Sequence, residues 1–261
     1  MISDRHLKPD AIVKTIELLG KRIQERFPQA GLNGVCRDLL EVAQGAQSRS
    51  RKIGRAILSV RLLSALLILI IAAGFAYAVN LIRIPNQPLQ ATEFIQVFEA
   101  GFNAVVLIGA TILFLMTLES RVKRARALRA IHEIRSLVHI IDMHQLTKDP
   151  EKVLIRDRSG LDTASSPKTN MTAYQLNRYL DYCTEMLALC SKVAALYVEY
   201  FPDPDAVGAV NDLETLTTGM SRKIWQKIML LHRDGFEETV ISQRTTELLT
   251  PAPAAKPAES S

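Results

Sequence analysis

The sequence has few of the patterns that mark enzymes. It contains no Gly-rich phosphate loop, no G-x-S-x-G motif and no pair of carboxylates in a catalytic context, which are the patterns of many nucleotide-dependent enzymes and hydrolases. It also lacks the H-E-x-x-H motif and a second Cys/His cluster, so a zinc enzyme is disfavoured. We therefore expect that the protein is not an enzyme and that it uses no cofactor.

Cysteine is scarce and its count is odd. The three cysteines are Cys36, Cys183 and Cys190. Disulfide frameworks of secreted proteins use even numbers of cysteines, so this count favours reduced thiols in a reducing compartment. Their expected role is that of small buried apolar side chains.

Charge is absent from two long stretches. Residues 62–82 and 100–118 contain no Asp, Glu, Lys or Arg. A helix of about 20 apolar residues crosses the ~30 Å hydrocarbon core of a bilayer, whereas a helix buried in a soluble protein rarely stays apolar on every side over this length. The first stretch lies too far from the N-terminus to be a cleaved signal. Two transmembrane helices are predicted, and two buried helices of a soluble core are the alternative.

Basic residues flank the apolar stretches on one side. The short segment 83–99 between them contains Arg83 with Glu93 and Glu99. Because Lys and Arg near membrane spans stay in the cytoplasm, the pattern predicts a multi-pass protein of the cell membrane with both termini cytoplasmic. The net charge of +5 is largely explained by these flanks, so the expected partner is the lipid bilayer and not nucleic acid. The flanking residues are Arg49, Arg51, Lys52, Arg55, Arg61, Arg121, Lys123, Arg124, Arg126 and Arg129.

Helical patterns occupy most of the remaining sequence. The predicted fold class is all-α: a two-helix transmembrane hairpin plus a cytoplasmic helical bundle built from N- and C-terminal αα-hairpins. The predicted order is an N-terminal αα-hairpin (1–48), a basic juxtamembrane linker (49–61), a first transmembrane helix (62–82), an external loop (83–99), a second transmembrane helix (100–118), a basic membrane-emergent helix (119–146), a flexible linker (147–171), a C-terminal helical domain (172–249) and a disordered tail (250–261).

The C-terminal domain contains the most regular helical pattern. Thr172 and Gln175 match a capping box, and apolar residues then recur at spacings of three and four from Leu176 to Phe201. This heptad pattern indicates either a long helix in a monomeric antiparallel bundle or a coiled-coil dimer, and its two Cys and one Ala favour the bundle. A following helix is expected to end at Gly235, with a shorter helix over 236–249.

Residues 25–45 and 199–219 resemble each other, with identical residues at seven positions in an alignment without gaps. The pattern indicates either a duplicated αα-hairpin, whose two copies pack together as a four-helix bundle, or two hairpins that share only their stop and turn residues. In each copy Pro ends the first helix, Phe is expected to bury itself between the two helices, and Gly is expected to allow close helix approach. These turn residues are Phe27, Pro28 and Gly34 in the first copy and Phe201, Pro202 and Gly208 in the second.

Two groups of residues are candidates for a specific role. His132, His139 and Asp142 share one helix face and are weak candidates for a metal site, although Arg135 on the same face favours a structural or protonation-sensitive role. Small residues and one Asn in the spans either hold the hairpin together, drive a homo-oligomer, or are ordinary span composition. These span residues are Ala72, Gly74, Ala76, Ala78 and Asn103.

Taken together, the sequence predicts a two-span membrane protein with a cytoplasmic helical interaction domain. It would act as a membrane-anchored adaptor or sensor for a cytoplasmic protein whose identity the sequence does not give. The layout resembles that of the two-span effectors of bacterial defence systems, in architecture and not in any motif, which implies an oligomerising, pore-forming or membrane-disrupting protein as the alternative. A metal-binding or enzymatic membrane protein that uses His132, His139 and Asp142 is the third interpretation.

Overall fold

The computed structural model describes residues 6–81, 91–154, 163–166 and 170–249, and for residues 91–94, 97 and 233–249 it describes the backbone alone. All regular secondary structure in these ranges is α-helical, which confirms the predicted all-α class. The helices are α1 (Pro9–Arg26), α2 (Leu32–Gly54), α3 (Leu58–Leu81), α4 (Ala91–Leu146), α5 (Glu151–Leu154), α6 (Ala173–Glu199) and α7 (Pro204–Leu249). The predicted tail 250–261, residues 83–90 of the predicted external loop and residue 82 of the predicted first span lie outside the described residues.

The helix boundaries follow local sequence signals at most ends. Pro9 occupies the first turn of α1, where its missing N–H is tolerated, and Pro28 lies just beyond the end of that helix. The capping box before α6 is confirmed: the Thr172 N–H donates to Gln175 Oε1 at 2.9 Å, and the Gln175 N–H donates to Thr172 Oγ1 at 3.2 Å.

Two helices continue further than the sequence suggested. The basic segment predicted as a linker over 49–61 is helical as far as Gly54, because it contains no Pro and its Arg and Lys residues favour helix. The expected end of the last helix at Gly235 is wrong, since α7 runs without interruption to Leu249. A single Gly costs only about 1 kcal/mol in a helix, so it does not end one by itself.

The chain forms two compact units. The first, here called the hairpin unit, comprises Gly45–His132 and Ala194–Val210 with His6 and Leu7. The second, the bundle unit, comprises Lys8–Gln44 and Glu133–Val193 with the part of α7 from Asn211 onward. Helices α2, α4, α6 and α7 each contribute residues to both units.

The core of the bundle unit is built from the apolar stripes of five helices. Ile16 of α1, Leu39 of α2, Leu187 of α6 and Leu213 of α7 are fully buried. Ile134 and Ile141 of α4 are also fully buried, with Val138 between them. The proposal of a four-helix bundle from two hairpins alone is therefore incomplete, because the last turns of α4 supply a fifth helix to the same core.

Candidate functional site

The apolar side chains of the two predicted spans are largely exposed in the single chain. Leu69 in α3 and Leu107 in α4 are 66 % and 67 % exposed. Both helices are long and apolar enough to cross a membrane, and only 6 % of the most apolar 18-residue window of each is buried. A core helix of a soluble protein would be mostly buried. Among the described residues, no protein core covers the apolar side chains of these two helices.

On each of the two helices, the side chains that are not exposed form one narrow strip. They are Val60, Ser64, Ile68 and Ile71 at the start of α3, and Ala104, Ile108, Ile112 and Leu115 in α4. Spacings of three and four place each set on one helix face, and we infer that the two strips face each other. Residues 72–81 are all exposed, so no described residue covers the C-terminal part of α3.

A charged cluster around Glu119 joins the beginning of α3 to α4 at the ends of the apolar stretches. Arg61 Nε donates to Glu119 Oε2 at 2.6 Å, and Lys123 Nζ lies 2.8 Å from Oε1. The backbone N–H of Ile57, just before α3, also donates to Oε1 at 3.1 Å. The hydrogen bonds from Arg61 and then Lys123 lower the pKa of Glu119 to about 2, so this carboxylate stays charged and holds the two helix ends together.

Replacing Glu119 by glutamine should lower stability at neutral pH and change its dependence on acid. A carboxyl group whose pKa falls from 4.5 to about 2 on folding stabilises the native state above pH 4.5, and that contribution is lost as the pH falls toward 2. The melting temperature of Glu119→Gln should therefore be below that of the wild type near pH 7, and the two should converge near pH 2. The matched control is Glu17→Gln, an exposed carboxylate on α1; a constant difference between Glu119→Gln and the wild type across this range would contradict the assignment.

A second ion-pair cluster fixes the beginning of α7 within the hairpin unit. Arg124 makes a bidentate contact with Asp203, with Nε–Oδ1 and Nη2–Oδ2 distances of 2.9 and 2.8 Å, and its Nη1 lies 2.7 Å from Asp205 Oδ2. Asp203 also accepts the N–H groups of Asp205 and Ala206 and so caps α7. Burial of Asp203 acts to raise its pKa, but Arg124 and these N–H groups outweigh it and the pKa is lowered.

The basic flank residues divide into two groups in the structure. Arg61, Lys123 and Arg124 pair with carboxylates in the two clusters just described. The others are exposed, namely Arg49, Arg51, Lys52, Arg55, Arg121, Arg126 and Arg129. Their partners Glu119 and Asp203 were not predicted, although Asp203 before Pro204 has the pattern of an N-cap followed by a first-turn proline.

Among the residues that the structure describes, the small residues of the first span make no close contact with the second span. Ala72, Gly74, Ala76 and Ala78 are exposed, and a Cβ at Gly74 would meet no described atom within 4 Å beyond its own helix. Asn103 is also exposed.

The repeat residues have different surroundings in the two units. In the bundle unit, Phe27 is buried edge-on against Tyr179 and Tyr182, with ring centroids 5.6 and 6.3 Å apart. The Phe27 ring therefore packs on α6. In the hairpin unit, Phe201 is half-buried and its ring centroid lies 6.0 Å from Lys123 Nζ. Pro28 and Pro202 each lie in the non-helical turn that follows the first helix of their copy.

The expectation that Gly34 and Gly208 allow close helix approach is wrong. A Cβ at either position would meet nothing within 4 Å outside its own helix backbone among the described residues. Gly54 at the end of α2 is a glycine whose position leaves no room for a side chain because another part of the backbone lies against it. A Cβ there would lie 2.8 Å from Tyr200 Cβ and 3.1 Å from the Tyr200 carbonyl oxygen, so the backbone of the α6–α7 turn packs directly on this residue.

The histidine cluster does not form a metal site in the part of the chain that the structure describes. No group of three or more His, Cys, Asp or Glu side chains there could hold a metal ion. His132 and His139 are exposed, and Asp142 Oδ1 accepts a hydrogen bond from Gln145 Nε2 at 2.7 Å. The described structure therefore does not bring His132, His139 and Asp142 together as metal ligands.

The three cysteines are buried, and burial raises the pKa of each thiol. The pKa of Cys36 rises to about 11, and those of Cys183 and Cys190 rise to about 12. Because the thiolate is the reactive form, alkylation by iodoacetamide at pH 8 should be slow in the folded protein and fast in denaturant. Mass spectrometry of native and unfolded samples measures this, and full labelling of the native protein within minutes would contradict it.

One half-buried cation in the bundle unit, Lys227, was not identified from sequence. Lys227 Nζ donates to the carbonyl oxygens of Gln145 and Lys148 at 2.9 and 3.1 Å, and to Gln145 Oε1 at 2.8 Å. It therefore satisfies backbone acceptors at the end of α4. Desolvation lowers its pKa, against the attraction of Asp149 and Asp142. Lys227 therefore caps the C-terminal end of α4.

No protein-family model, curated protein or solved structure matches this chain, so the assignment of a role depends on the geometry alone.

Proposed function

We propose that the protein is a two-span membrane protein whose bundle unit lies in the cytoplasm and acts as an adaptor or sensor without catalysing a reaction. The observation that carries the proposal is the exposed apolar surface of α3 and the first part of α4. Exposed apolar surface on this scale marks contact with a membrane or another protein, and a bilayer covers all sides of a helix at once.

The charges near the ends of the apolar stretches support the orientation. Arg61 and Lys123 bind Glu119, and the further basic residues on the same flanks are exposed. Exposed Lys and Arg next to spans favour the cytoplasmic face and its anionic lipids. The proposal therefore places the segment 83–99 outside and both termini inside.

Labelling of single introduced cysteines tests this orientation. The native thiols are buried and have raised pKa values, so they give a low background. Gln87→Cys, in the segment between the spans, should react with a membrane-impermeant maleimide on intact cells. Ala254→Cys, near the C-terminus, should react only after permeabilisation. Labelling of Ala254→Cys on intact cells would overturn the orientation.

A second candidate is an oligomer whose spans form a pore, and Asn103 favours it. This side chain is exposed within the charge-free stretch 100–118 of α4, and interhelical hydrogen bonds between polar side chains drive association of spans. Induced expression should then depolarise cells, as read by a potential-sensitive dye, and Asn103→Leu should abolish the effect. An adaptor or sensor predicts no depolarisation with either version.

A further inference from the structure

The hairpin unit carries a surplus of positive charge beside the ends of the apolar stretches. Residues 45–61, 119–132 and 194–210 of this unit contain ten Lys and Arg and four Asp and Glu. The two ion-pair clusters described above engage three of these four carboxylates. The fourth, Glu199, is hydrogen-bonded to His6 Nδ1. The positive charge of the unit is therefore not balanced by its own acidic side chains.

Two of the exposed cations lie at the level where the apolar stretches end. Arg55 lies in the short break between α2 and α3, and Arg121 follows Glu119 by two residues on α4. Glu119 Oε1 accepts the N–H of Ile57 at 3.1 Å, so these two parts of the chain meet at one level. Neither Arg55 nor Arg121 forms an ion pair with a carboxylate among the residues that the structure describes.

The Arg121 side chain points back toward the apolar stretch of α4. Its Cζ atom lies 5.2 Å from the centroid of the Phe114 ring, and Phe114 is 49 % exposed within that stretch. The two residues share a helix face, and the guanidinium group lies nearer to the span than the Arg121 backbone does. Contact with a ring uses none of the N–H donors of the guanidinium group, so these donors can bind a phosphate.

An exposed tyrosine lies next to Arg55. A Cβ on Gly54, the residue before Arg55, would lie 2.8 Å from Tyr200 Cβ, so the α6–α7 turn packs against this end of α2. Tyr200 itself is 41 % exposed. Tyrosine is enriched at the headgroup level of membranes because its ring is apolar and its hydroxyl group is polar. The turn therefore adds an interfacial aromatic group at the level of the two arginines.

Further cations lie close to this level. Arg51 and Lys52 precede Arg55 by about one turn, and Arg126 lies about 7.5 Å beyond Arg121 along α4. All three are exposed. Their distance from the level of Arg55 and Arg121 is within the Debye length of about 8 Å at physiological ionic strength. Positive charge that is spread in this way fits a surface with many anions better than one small anion.

We propose that these residues form a headgroup site that binds anionic phospholipids, with lipid phosphates at Arg55 and Arg121 and the Tyr200 ring among the headgroups. The site adjoins the exposed apolar surface of α3 and α4, and acyl chains on that surface hold the phosphates beside the arginines. This continuity favours a lipid over a free phosphate. The headgroup site comprises Arg51, Lys52, Arg55, Arg121, Arg126 and Tyr200.

The headgroup site rests on the two-span assignment and adds to it a selectivity for negatively charged lipid. The two can fail separately. A chain that resists carbonate extraction but does not distinguish anionic from zwitterionic lipid would keep the spans and lose the headgroup site. A chain that carbonate releases would lose both.

Lipid titration of the purified full-length protein in an uncharged detergent tests the proposal, with the melting temperature as the readout. The probes are phosphatidylglycerol, phosphatidylcholine with the same acyl chains, and glycerol 3-phosphate, which presents a phosphate without acyl chains. Each cation near an anionic surface contributes about fivefold in affinity. Phosphatidylglycerol should therefore raise the melting temperature at a concentration at least about tenfold lower than phosphatidylcholine does, and glycerol 3-phosphate should have no effect at that concentration.

Salt provides a further check, because the Debye length falls to about 3 Å at 1 M. The advantage of phosphatidylglycerol should shrink severalfold at this ionic strength. Equal effects of the two lipids, an advantage that 1 M salt leaves unchanged, or an equal effect of glycerol 3-phosphate would each overturn the proposal.

Variants locate the lipid selectivity to the headgroup site. Arg55→Gln and Arg121→Gln should each weaken the response to phosphatidylglycerol about fivefold, and the double variant about 25-fold if the two act independently. The double replacement by lysine keeps both charges and should retain most of the response. The matched control is Arg37→Gln, an exposed arginine on α2 in the bundle unit, which should respond as the wild type does. A wild-type response of the double glutamine variant, or an equal loss in Arg37→Gln, would contradict the proposal.

Discussion

Leu187→Ala should lower the free energy of unfolding by about 2–5 kcal/mol, the range for removing a buried leucine side chain from a core. Leu187 is fully buried in the middle of α6, between core residues of the bundle unit. Its removal leaves a cavity that a rigid helix bundle does not close. The measurement is urea unfolding of the full-length protein in mild detergent, followed by helical circular dichroism.

Leu18→Ala is the matched control for this prediction. Leu18 lies on α1 in the same unit but is 51 % exposed, so its replacement should change the stability by no more than about 0.5 kcal/mol. Similar losses in both variants would mean that α6 does not supply the core as described.

Leu69→Arg should reduce the amount of protein in the membrane fraction to a small part of the wild-type level. Leu69 lies midway along α3, within the first apolar stretch, and is 66 % exposed. In a bilayer, replacing Leu by Arg at the centre of a span costs about 3 kcal/mol or more on insertion scales, whereas on a soluble protein the same exposed substitution would be nearly neutral. The two environments therefore predict opposite outcomes.

The comparison for Leu69→Arg is Leu69→Phe, which keeps the position apolar. Quantitative immunoblots of membrane and soluble fractions measure both variants beside the wild type. Wild-type membrane levels for Leu69→Arg would contradict placement of this face in lipid. Loss of Leu69→Phe as well would indicate a packing effect at this position and not an effect of charge.

The apolar stretches and most helix starts could be predicted because their signals are local. Two charge-free segments can be identified from composition alone, and the capping box at Thr172 lies within four residues of sequence. The heptad pattern of α6 likewise marks its buried face, and Leu187 in that pattern is fully buried. Signals of this kind need no knowledge of what packs against the helix.

The clusters that organise the hairpin unit could not be predicted, because they join residues far apart in sequence. Arg61 and Glu119 are 58 positions apart, and Arg124 and Asp203 are 79 apart. The flank residues were identified as basic, but their partners depend on which helix faces which. The close-approach glycine, Gly54, was missed for the same reason, since its partner Tyr200 belongs to a distant turn.

The burial of α4 in the bundle core shows the same limit. Its stripe of Ile134, Val138 and Ile141 is regular in the sequence, and it predicts a helix with one apolar face. The sequence pattern alone does not show which helices cover that face. In the structure these residues lie in the same core as Leu39 and Leu187, so the duplicated hairpins do not complete the bundle by themselves.

Alkaline carbonate extraction of membranes from cells that express the full-length chain tests most directly whether α3 and the first part of α4 are embedded in lipid. Carbonate strips proteins held at the membrane surface by charge, while helices that cross the hydrocarbon core stay in the pellet after ultracentrifugation without detergent. We predict that the chain remains in the pellet and is released only by detergent. Recovery of the full-length chain in the carbonate supernatant would contradict the central claim that the exposed apolar faces of these two helices are covered by a bilayer.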